Sequence, residues 1–185
     1  HQGKEPARVG LLTYNNAYGR SIHKPSREYA EKIGIDIVAV EEFPAKTVDL
    51  TTELLRLKKS GADYVVLQML PAAIITTLKS ADRIEYRPRF LGTWTSTDPD
   101  FFRMGQGLLG DRLVIQFPGG LPSDGTPGIK VFEELVERYK TIESFDASYW
   151  EGVAVAMIME RAVQRAAERS GKVTRETING ALESF

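Results

Sequence analysis

"RVGLLTYNNAYGRS", residues 8–21, decides how the rest of the chain is read. Its apolar start, Val9-Gly10-Leu11-Leu12, reads as a strand, and the stretch from Ala17 onward reads as a helix. A strand that runs into polar residues and then a helix is where α/β proteins place their ligands. The turn itself, Asn15-Asn16-Ala17-Tyr18-Gly19, holds a single glycine. A dinucleotide cradle needs Gly-x-Gly-x-x-Gly here, so that the backbone can approach a pyrophosphate at the helix start. The stretch therefore reads not as a phosphate cradle but as the lip of some other pocket or simply a well-capped helix: Asn15 or Asn16 caps and Gly19 keeps the turn tight.

The pattern repeats outward from this point. Arg8 to Tyr14 is a strand and Ala17 to Ile33 a helix that stops at Gly34. Ile35 to Val40 is a second strand, and Asp49 caps a helix that ends at Gly61. Asp63 to Leu70 is almost continuously apolar, the pattern of a parallel strand covered on both faces. Pro71 opens a helix to about Ile84, and Arg89 to Trp94 and Asp111 to Phe117 are two more strands. Strand and helix alternating at this spacing predict a Rossmann-like parallel sheet with flanking helices and right-handed crossovers.

The character changes at "FPGGLPSDGTPG", residues 117–128, where three Pro and four Gly mark a long connection. Everything after it reads as helical: Ile129 to Lys140, Ser148 to Arg169 and Thr174 to Leu182. The predicted division is an α/β domain over residues 7–118 and a crossover with helices over 119–185. Val153 to Met159 is apolar on every side, which implies burial all round. Arg161, Arg165 and Arg169 with Glu160, Gln164 and Glu168 read as a solvated polar stripe.

Composition removes several function classes. The 185 residues carry 24 Lys and Arg against 25 Asp and Glu, so bulk charge offers nothing to a nucleic acid. With no cysteine, thiol catalysis, disulfides and cysteine-bound metals are excluded. Of the two histidines, His1 is terminal and His23, in a polar helical segment, is expected to be solvated. The uncharged run from Tyr64 to Leu78 is shorter than the ~20 residues of a membrane span. No Gly-Lys-Ser/Thr and no Gly-x-Ser-x-Gly occurs, and "GQGLLG", residues 105–110, precedes a strand instead of following one. Asp98 and Asp100 around Pro99 read as a helix cap, with a paired-carboxylate site as the alternative.

The strand-end residues are thus neutral or aromatic: Asn15, Ala17 and Tyr18, Leu70 and Pro71, Trp94 and Thr95. Such a set suits a binding pocket and not a reaction centre, so no enzyme activity, cofactor or metal is expected.

Laid out in this way, the chain resembles the type I periplasmic binding proteins, and within them the Leu/Ile/Val-binding group. These are the substrate receptors of branched-chain amino acid ABC transporters. The resemblance runs through Asn-x-Ala-Tyr-Gly at residues 15–19, "AEKIGIDIV", "FPAKTVDLTTELLRLKKSGADYVVL" at 43–67, "FLGTWTSTDPDFF" and "YWEGVAVAMIMERAV". It implies a two-lobed receptor closing on a small ligand, with this chain holding most of the second lobe and helices returning to the first. By the same resemblance Tyr18 touches ligand, and Leu70 stands where amino acid receptors often carry an aromatic. Trp94 occupies a position that is acidic in Leu/Ile/Val receptors, where it pairs with the ligand's ammonium. A buried ammonium without a partner is costly. The resemblance therefore points to an organic acid or amide, stacked on Tyr18 and Trp94, unless Asp98 or the other lobe supplies the negative partner. Trp94 has an alternative reading as a core residue plugging the strand end.

The expected partners are the small ligand (amino acid or organic acid/amide) and the membrane permease of an ABC transporter. Self-association through the helical tail is also expected. The expected location is periplasmic or extracytoplasmic, lipid-anchored in a Gram-positive cell, with the signal peptide lying upstream of this stretch. An effector-binding sensory or regulatory domain of the same fold is the alternative.

Overall fold

A computed structural model describes residues 6–94, 99–116, 122–140, 142 and 146–185. The chain divides into two compact units, His1–Pro118 and Gly119–Phe185.

The first unit is a parallel sheet with flanking helices. In chain order it holds β1 (Arg8–Tyr14), α1 (Ala17–Arg20), α2 (His23–Ile33), β2 (Asp36–Phe43), α3 (Thr51–Lys59), β3 (Tyr64–Gln68), α4 (Pro71–Arg83), β4 (Arg89–Gly92), α5 (Pro99–Met104) and β5 (Leu113–Ile115). The five strands lie in the order β2-β1-β3-β4-β5, every pair parallel. The predicted strands are all present. β2 runs three residues further than expected, because Glu41 to Phe43 pair with Leu12 to Tyr14 of β1.

The predicted helix from Ala17 to Ile33 is instead two helices. Arg20 closes α1, and the Ser21 amide returns to the Tyr18 carbonyl at 3.3 Å, so the chain turns before α2 begins. Helix α2 stops at Gly34, whose φ of 69° is left-handed and open to glycine at no steric cost.

Leu12, Tyr14, Val65, Leu67 and Phe90 point to one face and join Leu50, Leu54 and Leu57 of the α3 region with Ile74 and Leu78 of α4 in the core. The alternate residues point the other way. There Val9, Leu11, Val66 and Leu91 line an open apolar hollow beside Tyr29, Ala30 and Ile33 of α2. β3 is accordingly sealed on one face only, since Val66 is half-buried. The reason is topological. The chain moves one way from β1 to β2 and the other way from β2 onward, so right-handed crossovers put α2 alone on its face.

The second unit holds α6 (Pro127–Tyr139), α7 (Ala147–Ser170) and α8 (Arg175–Leu182). Phe132 of α6 meets Trp150 of α7 edge-on at 5.4 Å between ring centres. Ala162 and Ala166 of α7 pack on Ala181, Ile178 and Leu182 of α8. Asp146 caps α7 by accepting the Tyr149 amide at 2.9 Å. Val153–Met159, apolar on every side, is only partly covered in this chain. Val155 is 60% exposed and Ile158 50%, because α8 reaches only the C-terminal half of α7.

Candidate functional site

The carboxyl ends of β1, β3 and β4 are neighbours in the sheet. Thr13 of β1 stands opposite Gln68 of β3, and Leu67 stands opposite Gly92 of β4. At ~4.8 Å per strand step, the loops that leave β1 and β4 are about 10 Å apart across β3. Those loops carry Asn15, Ala17 and Tyr18, then Leu70 and Pro71, then Trp94. The topology therefore brings six of the seven candidate residues to one sheet edge. Thr95, like Asp98, lies outside the described residues.

Each of these side chains has a local reason for its position. Asn16, not Asn15, caps α1, its Oδ1 accepting the Gly19 amide at 2.9 Å. Asn15 is exposed, and its amide donates to the Phe43 carbonyl at 3.0 Å, which pins the turn to the end of β2. Gly19 is buried against β1. A Cβ there would collide with the Tyr14 carbonyl oxygen and sit 2.6 Å from the Tyr14 nitrogen. The close approach, not an unusual φ, demands glycine, and it presses the α1 turn onto the strand end.

Tyr18 is 37% exposed on this turn. Its carbonyl accepts the Ser21 hydroxyl at 2.7 Å and the Gln68 side-chain amide at 3.5 Å. Leu70 is 53% exposed at the start of α4, where Pro71 supplies the first-turn residue that needs no N–H partner. Trp94 is 47% exposed, so it does not plug a core. Tyr14 lies beneath them, buried and tilted on Phe43 at 5.1 Å. Burial above all, and the neighbouring Tyr18, hold its phenol above the ordinary tyrosine range, against the opposing bond from the Leu70 amide.

His23 is a correction to the sequence reading. Its ring is not solvated but half-buried, with Nε2 2.9 Å from the Thr13 hydroxyl and Nδ1 3.7 Å from Glu42 Oε1. Glu42 also receives a bidentate bond from Arg20 at 2.7–3.1 Å. That bond chiefly, with the charges of Arg20 and His23, holds the Glu42 carboxyl below its usual range, against the opposing effect of desolvation. Hydroxyl, imidazole and carboxylate in a row resemble a nucleophile relay. Thr13 is fully buried, however, so no substrate carbonyl reaches its oxygen. These residues, and the buried Gln68, escape a sequence reading because their partners lie on neighbouring strands. The one visible signal is a glutamine ending an otherwise apolar strand.

Among the described residues, no cluster of three or more His, Asp or Glu could hold a metal ion, and no helix is long and apolar enough to cross a membrane. The open hollow beside α2 is lined by none of the candidate residues.

A parallel sheet with helices on both faces and neutral or aromatic side chains at adjacent strand ends is the architecture that the comparisons with known proteins share. A family model described as periplasmic binding protein matches residues 1–185. The chain belongs to the periplasmic binding protein family, with the type I fold of the Leu/Ile/Val-binding group. It is 27% identical over 146 residues to Leu/Ile/Val-binding protein homolog 8 of Brucella abortus, covering 75% of this chain and 35% of that protein. It is 26% identical over 137 residues to homolog 7, covering 72% and 34%. A solved branched-chain amino acid ABC transporter protein from Thermus thermophilus with bound valine superposes with a TM-score of 0.80 at 29% identity, over 96% of this chain and 47% of that one. A fatty acid ABC transporter substrate-binding protein from Thermomonospora curvata superposes at 0.82 with 21% identity, over 98% and 46%, a likeness of fold alone. The chain thus spans about a third of the curated relatives' length and about half of the solved chains.

Proposed function

We propose that this chain is part of an extracytoplasmic solute-binding protein that captures a small organic ligand and presents it to the permease of an ABC transporter. The observation that carries the reading is the family match across the whole chain, with relatives that are transporter receptors. In this reading residues 7–118 form the second lobe and 119–185 serve the first, while ligand closes between the two. Asn15, Ala17, Tyr18, Leu70, Pro71, Trp94 and Thr95 line this lobe's side of the cleft. The helical tail, with its exposed apolar residues, mediates self-association of the chain.

The ligand class follows from side-chain chemistry. Tyr18 and Trp94 offer ring faces and Leu70 an aliphatic surface, and none of the three carries a charge to pair an ammonium. An organic acid or amide, aromatic or aliphatic, suits that surface better than a zwitterion. The valine held by the Thermus relative marks the competing ligand. Thermal-shift screening of the full-length receptor against leucine, valine, aromatic acids, amides and a fatty acid tests both levels. Stabilisation by an acid or amide, lost on Trp94→Ala, is the expected result. Tight leucine binding that survives Trp94→Ala would overturn the ligand class. No stabilisation by any of them would count against the receptor reading.

A further inference from the structure

Helix α1 is a single turn of four residues, too short to be stable by itself, yet it carries the Tyr18 lip. Its charged anchor is Arg20, which reaches across to Glu42 on β2. An exposed arginine–carboxylate pair ordinarily holds little, because both side chains must give up their freedom to form it. Here one partner is already placed. Glu42 stands opposite Thr13 in the β1–β2 register, and His23 is wedged beside both.

The imidazole fills the space between the two: Nε2 shares a hydrogen bond with the buried Thr13 hydroxyl at 2.9 Å, and Nδ1 faces Glu42 Oε1 at 3.7 Å, a close approach longer than a hydrogen bond. The result is an ordered run from the sheet interior to the lip: Thr13, His23, Glu42, Arg20, α1. We propose that His23 is a positioning residue for the Tyr18 lip, acting through Glu42 and Arg20. It touches no ligand. It orients the carboxylate that fastens the turn, so the lip is set before ligand arrives. The lip's role rests on the receptor reading above, whereas the fastening is measured without ligand.

Amide hydrogen exchange by NMR on the ligand-free chain tests it. The Gly19 and Arg20 amides, bonded to Asn16 at 2.9 Å each, report on α1. His23→Ala is expected to speed their exchange about tenfold while the core amides of Leu12 and Val65 keep their protection. His23→Asn, which retains a donor near the Nδ1 position, restores much of the loss. The double variant His23→Ala/Glu42→Gln exchanges no faster than the more affected single one, since both act on one run. Unchanged Gly19 and Arg20 exchange in His23→Ala, or additive effects in the double variant, would overturn the proposal. Should His23→Ala unfold, His23→Leu, which fills the same space without a polar atom, takes its place, and unchanged Gly19 and Arg20 exchange there would equally overturn the proposal. Failure of every ligand to bind sinks the receptor reading and leaves this exchange result standing. Unchanged exchange sinks the fastening whatever binds.

Discussion

The Tyr14 hydroxyl accepts the backbone amide of Leu70 at 3.3 Å, joining the end of β1 to the start of α4. The bond spans 56 residues of sequence and ties together two of the loops proposed to line the cleft. Tyr14→Phe removes the acceptor and leaves the ring packed on Phe43. It is expected to cost about 1 kcal/mol, read as a lower urea midpoint with an unchanged slope.

Gly19→Ala should be more damaging, although the new group is only a methyl. The clash is with the Tyr14 backbone, which cannot move without disturbing its pairing with Phe43. A loss of about 1–3 kcal/mol is expected in urea unfolding. Gly34→Ala makes the comparison, because there nothing lies within 4 Å and only the left-handed φ is strained.

Tyr86 gives a pH signature. It is buried, donates to the Ala62 carbonyl at 2.7 Å, and burial first, with Asp63 nearby, pushes its pKa up to about 12. The folded state therefore holds this proton more tightly than the unfolded chain does. Its contribution is fully present below the ordinary value of 10.0 and is lost as pH rises through about 12. Urea unfolding tracked from about pH 9 upward should show wild-type stability falling more steeply than that of Tyr86→Phe. Parallel curves would refute the assignment.

The exposed apolar face of α7 makes self-association the expected behaviour of the isolated chain. Val155, Ile158 and Met159 are 60%, 50% and 41% exposed within two turns. Sedimentation velocity should show concentration-dependent association that Val155→Glu with Ile158→Glu reverses. A monodisperse wild-type monomer at high concentration would rule this out.

Much of the fold is legible in the sequence because its signals are local. An apolar run followed by an amphipathic stretch and a terminal glycine marks each βα unit, and chirality restricts how such units assemble. Tyr18, Leu70 and Trp94 are candidates by the same logic, since ligands in these folds gather at strand ends. The break between α1 and α2 has a sequence signal that the periodicity hides: Pro25 has no N–H for the Ser21 carbonyl and fits only in the first turn of a helix, here that of α2. What the sequence does not show is where α1 is anchored, since the Arg20–Glu42 bond and the close approach of Gly19 to Tyr14 join distant segments.

By itself, the order of residues determined that β1 to β5 form a parallel sheet, that Gly34 ends a helix, and that neutral or aromatic residues follow β1, β3 and β4. Only the tertiary structure decided that His23 faces Thr13 and Glu42 and not solvent. It also decided that Trp94 stands exposed and that one face of β3 stays open. The division has a physical cause. Periodicity and capping act within a few residues, whereas hydrogen bonds such as Tyr14 to Leu70 depend on which strands become neighbours.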